Sequence, residues 1–227
     1  MTTPAIAVAA VLVGAYMVGS VPVAWLLGRS RDIDLREVGS GNPGTSNLFR
    51  NAGIGVALLS GPLQFAQGLA PVLIARAAGG DGSLVELTAI VTVAGNGWPF
   101  WLGFRGQRGV AVATGAVAGL HPLLLAVLLV CFAAGAVGRR IAAGVLAGFV
   151  LLPVAAAFIG GPGLAVACSA LLVALLLRRL DGIGDDRRRA TTGERRRILL
   201  RRILFDERPG QVLVGRHPGA EWAERRP

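Results

Sequence analysis

Apolar residues in this chain come in blocks. The runs 5–27, 53–75, 87–104 and 141–177 contain no charged residue. A helix of about 20 apolar residues spans the hydrocarbon core of a bilayer. The last block is far longer, and the glycine-rich connector 160–163 interrupts it. The pattern predicts an all-α, polytopic membrane helix bundle, with crossings over roughly 5–27, 54–77 and 84–104. The stretch 109–137 reads as one helix or as two short crossings broken near His121–Pro122. Such breaks are tolerated where other helices cover the backbone.

Composition agrees with the pattern. Apolar residues make up 53% of the 227, and the mean hydropathy is +0.61, which excludes an ordinary soluble domain. Charge then chooses between the readings of 109–137. All 23 basic residues are arginine, and the net charge is +10. Short Arg-bearing loops stay in the cytoplasm. The Arg-bearing segments are 28–50, 105–108, 139–140 and the tail, with Arg76 standing alone at the end of the second span, whereas connectors 78–83 and 160–163 have none. Two short crossings in 109–137 put every Arg cluster on one side. The expectation is about seven crossings, some short or broken, with the N-terminus outside and the C-terminus inside. A re-entrant element there fits about as well. Topology accounts for the positive charge, so no nucleic-acid partner is expected. A cleaved signal sequence would need a basic stretch before its apolar run; here Arg29, Arg31 and Arg36 follow it.

The expected organisation is a transmembrane domain, 1–180, and a basic cytoplasmic tail, 181–227. The tail holds a linker, 181–192, and a candidate amphipathic helix, 193–205, with Leu199, Leu200, Ile203 and Leu204 as its apolar stripe and Arg197, Arg201 and Arg202 beside or opposite it. Such a helix suits an anionic leaflet or packing on the bundle. Cys131 and Cys168 lie inside apolar runs, and His121 and His217 have no second ligand at a useful offset. No metal or other cofactor is expected.

Two cytoplasmic loops carry candidate chemistry. The first is VGSGNPGTSNLFR, residues 38–50. Glycines let backbone N–H groups approach a ligand, and successive N–H groups form anion-binding nests. Ser40, Asn42, Thr45, Ser46 and Asn47 add small donors, and Arg36 and Arg50 flank the loop with groups able to fork onto phosphate. The same features also suit an ordinary turn capping a helix that enters at Asn47. The second loop, in AGNGWPFWLGFRGQRGV at 94–110, alternates Arg105 and Arg108 with Gly106 and Gly109. Two arginines beside glycines can converge on one anion, although a plain positive-inside loop looks similar.

Residues 19–47, GSVPVAWLLGRSRDIDLREVGSGNPGTSN, resemble the Gly-Ser entry, Asp-x-Arg step and Gly-Ser-Gly-Asn-x-Gly-Ala-Thr-Asn loop of a known family. Residues 96–115, NGWPFWLGFRGQRGVAVATG, resemble its Gly-His-x-x-Pro and Lys/Arg-Gly-Gly-Lys-Gly-Val-Ala block. The family is that of the integral-membrane acyl-phosphate:glycerol-3-phosphate acyltransferases, the PlsY family, and the likeness spans about residues 10–182. The resemblance implies seven transmembrane helices, N-out and C-in, in a bacterial cell membrane with the active site on the cytoplasmic side. It implies transfer of a fatty acyl group from acyl phosphate to the 1-hydroxyl of glycerol 3-phosphate, giving lysophosphatidate, without metal or acyl-CoA. Ser20, Arg36 and Arg108 become substrate-positioning candidates. Gly39, Ser40, Gly41, Asn42, Gly44, Thr45, Asn47, Asn96, Arg105, Gly106 and Gly109 become candidate phosphate or substrate contacts. Expected partners are the two substrates and membrane lipids, around a monomer.

The chain departs from the family at particular places. Asn96 stands for its His, Arg108 for its usual Lys, and Gln64 and Gln67 for an acid and a base. Val173 and Leu176 stand for a His and an Asn near the last crossing. These departures leave a non-catalytic phospholipid- or phosphate-binding relative as a second reading. A transporter is a third, weakened by how few polar groups lie at mid-membrane depth.

Overall fold

The computed structural model describes residues 5–181; residues 1–4, the tail beyond 181 and the expected helix 193–205 lie outside it. The described residues are all-helical, with no strand among them: α1 (Ala5–Ser20), α2 (Val23–Arg29), α3 (Thr45–Ala52), α4 (Ile54–Ala77), α5 (Gly82–Gly97), α6 (Val110–Leu120), α7 (Pro122–Val137) and α8 (Ile141–Leu180). A 3-10 turn, Phe100–Leu102, joins α5 to α6.

Helices occupy the expected spans, but the one expected over 84–104 ends at Gly97, and local chemistry sets the ends. The first apolar run is not one helix: Pro22 separates α1 from α2, because proline has no N–H to continue the ladder. The freed carbonyls of Val18, Gly19 and Val21 receive the Gln67 amide at 2.6, 3.0 and 2.8 Å. Asp81 caps α5, accepting from Leu84 N at 2.8 Å. The stretch 109–137 breaks at His121, as the two-crossing reading expects, and Pro122 opens α7 at a position where it is pre-organised. The long final block kinks at Gly161, whose φ is 81°, with Pro162 next to it.

At 11 residues, α6 is about 16 Å long, too short for a lipid-exposed crossing. It is tolerated because protein encloses it: Val112, Ala113, Ala116 and Val117 have no exposed surface. Outside the bundle the surface is apolar, with Phe158, Val130, Val166 and Leu58 well exposed. That arrangement suits a lipid environment rather than water.

Glycines bring the helices together in three reciprocal pairs. Gly19 faces the Thr92 carbonyl while Gly95 faces Tyr16, joining α1 to α5. Gly68 faces the Val112 carbonyl while Gly115 faces Phe65, joining α4 to α6. Gly135 and Gly144 face each other between α7 and α8. Without a hydrophobic driving force between helices in lipid, close backbone approach of this kind is a principal source of association.

Helix ends sort onto two faces. Arg76 donates to the Leu120 carbonyl at 2.8 Å and shares a small cavity with Gly80, Glu86 and Gly160, so the Arg-poor connectors meet. At the opposite face the Arg-bearing segments meet. Arg178 reaches the loop before α6, and Arg179 reaches the start of α8.

Candidate active site

The first loop is shaped from within. Leu35 and Leu48 are fully buried against Ala24 of α2 and anchor it at both ends. Asn47, 2% exposed, donates to the carbonyls of Leu35 (2.8 Å) and Val38 (3.0 Å). Its Oδ1 accepts from Ser40 N (3.1 Å) and Asn51 Nδ2 (3.0 Å). Gly39 turns the chain with φ 54°, and a Cβ there would strike the Asn47 side chain. Gly41 also has positive φ. Gly39, Ser40, Gly41 and Asn47 therefore build the loop rather than line a cavity.

The end of that loop meets the second loop. Asn42, Gly44, Thr45 and Ser46 on one side, and Gln107, Arg108 and Gly109 on the other, line a cavity of about 380 Å³ that runs on past Gln64, Phe65, Thr114 and Phe132. Two helices begin at its wall, α3 after Gly44 and α6 after Gly109. Neither glycine has a side chain to cap the first turn, the part of a helix where backbone amides lack intrahelical partners. Helix N-termini carry partial positive charge and favour anions. Gly44 has ordinary extended backbone angles; what it provides is space, since a Cβ would lie 2.9 Å from Asn42 Nδ2 and 3.5 Å from Gln107 Oε1. Gly109 has φ 75°, which favours glycine.

A hydroxyl–amide cluster sets the floor. Gln64 Nε2 donates to Thr45 Oγ1 and Ser60 Oγ, both at 2.8 Å, and the two hydroxyls are 2.8 Å apart. The second loop is held from behind. Arg178 Nη2 donates to the Gly106 carbonyl (2.6 Å) and Nε to that of Gln107 (3.3 Å), while the guanidinium stacks on Trp98.

The remaining candidates lie off the cavity lining. Ser20 donates to Met17 O and accepts from Trp101 Nε1, tying the end of α1 to the 3-10 turn. Arg36 grips Asp34 through Nε and Nη2 (3.0 and 2.7 Å) and stands over the Trp25 ring. Those hydrogen bonds hold the Asp34 carboxyl well below the usual carboxylate range and raise Arg36. Arg105 is exposed. Gly106 is buried, and a Cβ there would run into the Asn96 carbonyl. Asn96 is buried behind Gly109. Val173 is exposed on the outside of α8, and neither it nor Leu176 lines the cavity.

Gln107, Ser60 and Arg178 are contributors that sequence reasoning did not assign to the site. Arg178 carried only a topology signal, and its loop contacts are more than 70 residues away in sequence. Gln64 stood out only as a departure, because its bond to Thr45 crosses between elements.

Residues 9–183 match the family described as glycerol-3-phosphate acyltransferase. The chain belongs to that family. A glycerol-3-phosphate acyltransferase of Rubrobacter xylanophilus is 46% identical over 112 residues, covering 49% of this chain and 56% of the relative. One from a Synechococcus strain is 35% identical over 166 residues, covering 72% and 83%. The match spans little more than half the length of the Rubrobacter and Deinococcus radiodurans relatives, 56% and 55%. Among solved structures, PlsY, an integral membrane glycerol 3-phosphate acyltransferase, superposes in its glycerol 3-phosphate form with a TM-score of 0.73 at 25% identity, over 78% of this chain and 90% of that one. Its lysophosphatidic acid form gives 0.70. Gln64 and Gln67, where the sequence departs from the motif it resembles, are both hydrogen-bonded amides.

Proposed function

We propose that this protein transfers a fatty acyl group from acyl phosphate to the 1-hydroxyl of glycerol 3-phosphate, releasing phosphate and lysophosphatidate. The observation that carries the reading is the cavity itself, where loop residues and two helix N-termini offer an anion site and Phe65, Val110 and Phe132 offer an apolar extension. That combination suits an acyl chain with a phosphate at its head and a second phosphate-bearing substrate beside it.

The chemistry follows from the lining. Acyl phosphate is a mixed anhydride. The glycerol hydroxyl oxygen bonds to the acyl carbon, the bond from that carbon to the phosphate oxygen breaks, and phosphate leaves with the electron pair. The lining residues include no His, Asp, Glu, Cys or Lys, so the hydroxyl proton passes to a phosphate oxygen of the substrates themselves. Arg108 and the α6 N-terminus neutralise the leaving phosphate, and alignment of the two anions supplies proximity. Arg36, Ser20 and Asn47 act by holding the loops that form the wall.

On this reading residues 1–180 form the transmembrane domain, with seven crossings, the N-terminus outside, and the site and basic tail at the cytoplasmic face of the cell membrane. The protein works as a monomer. The sorting of Arg-bearing segments onto the cavity's face supports that orientation. The test is purified protein with palmitoyl phosphate: phosphate release should require glycerol 3-phosphate and yield lysophosphatidate. Glycerol 3-phosphate binding without any acyl transfer would instead assign a non-catalytic phosphate binder.

A further inference from the structure

Gln107 is the part of the second loop that enters the seam between the loops. It is 3% exposed and lines the cavity, and its Nε2 has no hydrogen-bond partner among the described residues. Buried amide donors without partners are rare in native proteins and destabilise them, so each calls for an explanation. Local relaxation does not provide one here. The backbone on either side of the side chain is pinned: Gln107 N donates to Asn96 O at 3.2 Å, and Gln107 O accepts from Arg178 at 3.3 Å. Across the cavity, the Thr45 and Gln64 side chains already bond one another. In the motif that this block resembles, the position of Gln107 is the second glycine.

We propose that Gln107 is a specificity-determining substrate contact, with its Nε2 donating a hydrogen bond to a phosphoryl oxygen of the bound substrate, between Arg108 on one loop and Asn42 and Gly44 on the other. This rests on the function proposed above. Arg108 and the helix N-termini supply positive potential, which attracts any anion. A pinned neutral donor adds direction, rewarding an anion that presents an oxygen at one point. Both substrates carry phosphoryl oxygens, and kinetics separate them.

The experiment uses full-length protein in detergent and compares Gln107→Leu and Gln107→Glu with the wild type. Melting is measured alone, with glycerol 3-phosphate and with inorganic phosphate, and transfer rates are measured while each substrate is varied. Without substrate, Gln107→Leu should melt at or above the wild-type temperature, because an unpaired donor is gone. KM for one phosphate-bearing substrate should rise at least about tenfold, the size of a lost hydrogen bond to a charged group. Gln107→Glu keeps the shape but sets a negative charge against phosphate, and it should lose more. A raised KM for glycerol 3-phosphate puts the donor on that substrate, and one for palmitoyl phosphate puts it on the other; either supports the proposal. Unchanged KM values in Gln107→Leu overturn it. So does a substrate-free Gln107→Leu that melts below the wild type, since that amide would be holding structure. Should the wild type be stabilised by glycerol 3-phosphate yet transfer nothing, the proposed function falls, and Gln107 is judged by whether Leu abolishes the stabilisation. A wild type stabilised by neither phosphate compound and inactive overturns both.

Discussion

The two arginines of the second loop look alike in sequence and differ in place. Arg108 lines the cavity, while Arg105 is exposed. Arg108→Ala should lower kcat/KM at least about tenfold, as expected for a charge-assisted contact, and Arg105→Ala should stay within about twofold; steady-state rates on well-folded protein check both. Arg36 lies off the cavity and bonds Asp34, which also accepts from Trp25. The Asp34 carboxyl is held low by hydrogen bonds from Arg36. A carboxylate whose folded value lies below its unfolded value of about 4 stabilises the fold above that pH and loses the effect as pH falls toward the folded value. The melting-temperature difference between wild type and Asp34→Asn should therefore be flat from about pH 5 to 8 and shrink toward pH 3. A difference that grew on acidification would contradict the pairing. The pair is partly exposed, so its size should be below about 1 kcal/mol.

At the scale of elements, glycine at helix contacts matters more than glycine in helices generally. The Gly115 Cα faces the Phe65 carbonyl across the α4–α6 contact, whereas Gly14 of α1 has nothing within 4 Å of a built Cβ. Gly115→Leu should force α4 and α6 apart and lower the detergent melting temperature by the equivalent of about 1–3 kcal/mol or more, as overpacking does. Gly14→Ala should be neutral or stabilising by up to about 1 kcal/mol, the helix-propensity gain. Because α6 also presents Gly109, Val110 and Ala111 to the cavity, activity should fall with the first substitution and not the second. Equal losses in both would mean that the close helix contact at Gly115 is not what sets the cost.

For the whole molecule, orientation is the decisive property. Arg139–Arg140 and the end of α8 meet the face that carries the two loops, and Arg76, Gly80 and Gly160 meet the other. Fusions after residue 181 should be active with a reporter that functions only in the cytoplasm. Fusions in the α4–α5 connector, near Gly80, should be active with one that functions only outside. The reverse pattern would invert the proposed topology and move the site to the wrong side for a cytoplasmic substrate.

Hydropathy and arginine placement by themselves determined the helical class, the positions of the spans, the break at His121–Pro122 and the connector at Gly160–Gly163, because lipid demands long apolar helices with internally satisfied backbones. Glycines and small polar residues in 38–47 and 105–109 marked the two loops by composition alone. What the tertiary structure decided was which of those residues line the cavity. Asn47 and Arg36 carry the same donor groups as Asn42 and Arg108, yet the first pair is consumed inside the loop and the second lines the cavity. Side-chain direction and partner choice depend on contacts between segments far apart in the chain, such as Thr45 with Gln64 and Gly106 with Arg178. Periodicity and composition report only on near neighbours, so the split of α1 from α2, the support from Arg178 and the unpartnered amide of Gln107 emerged only once the helices had packed.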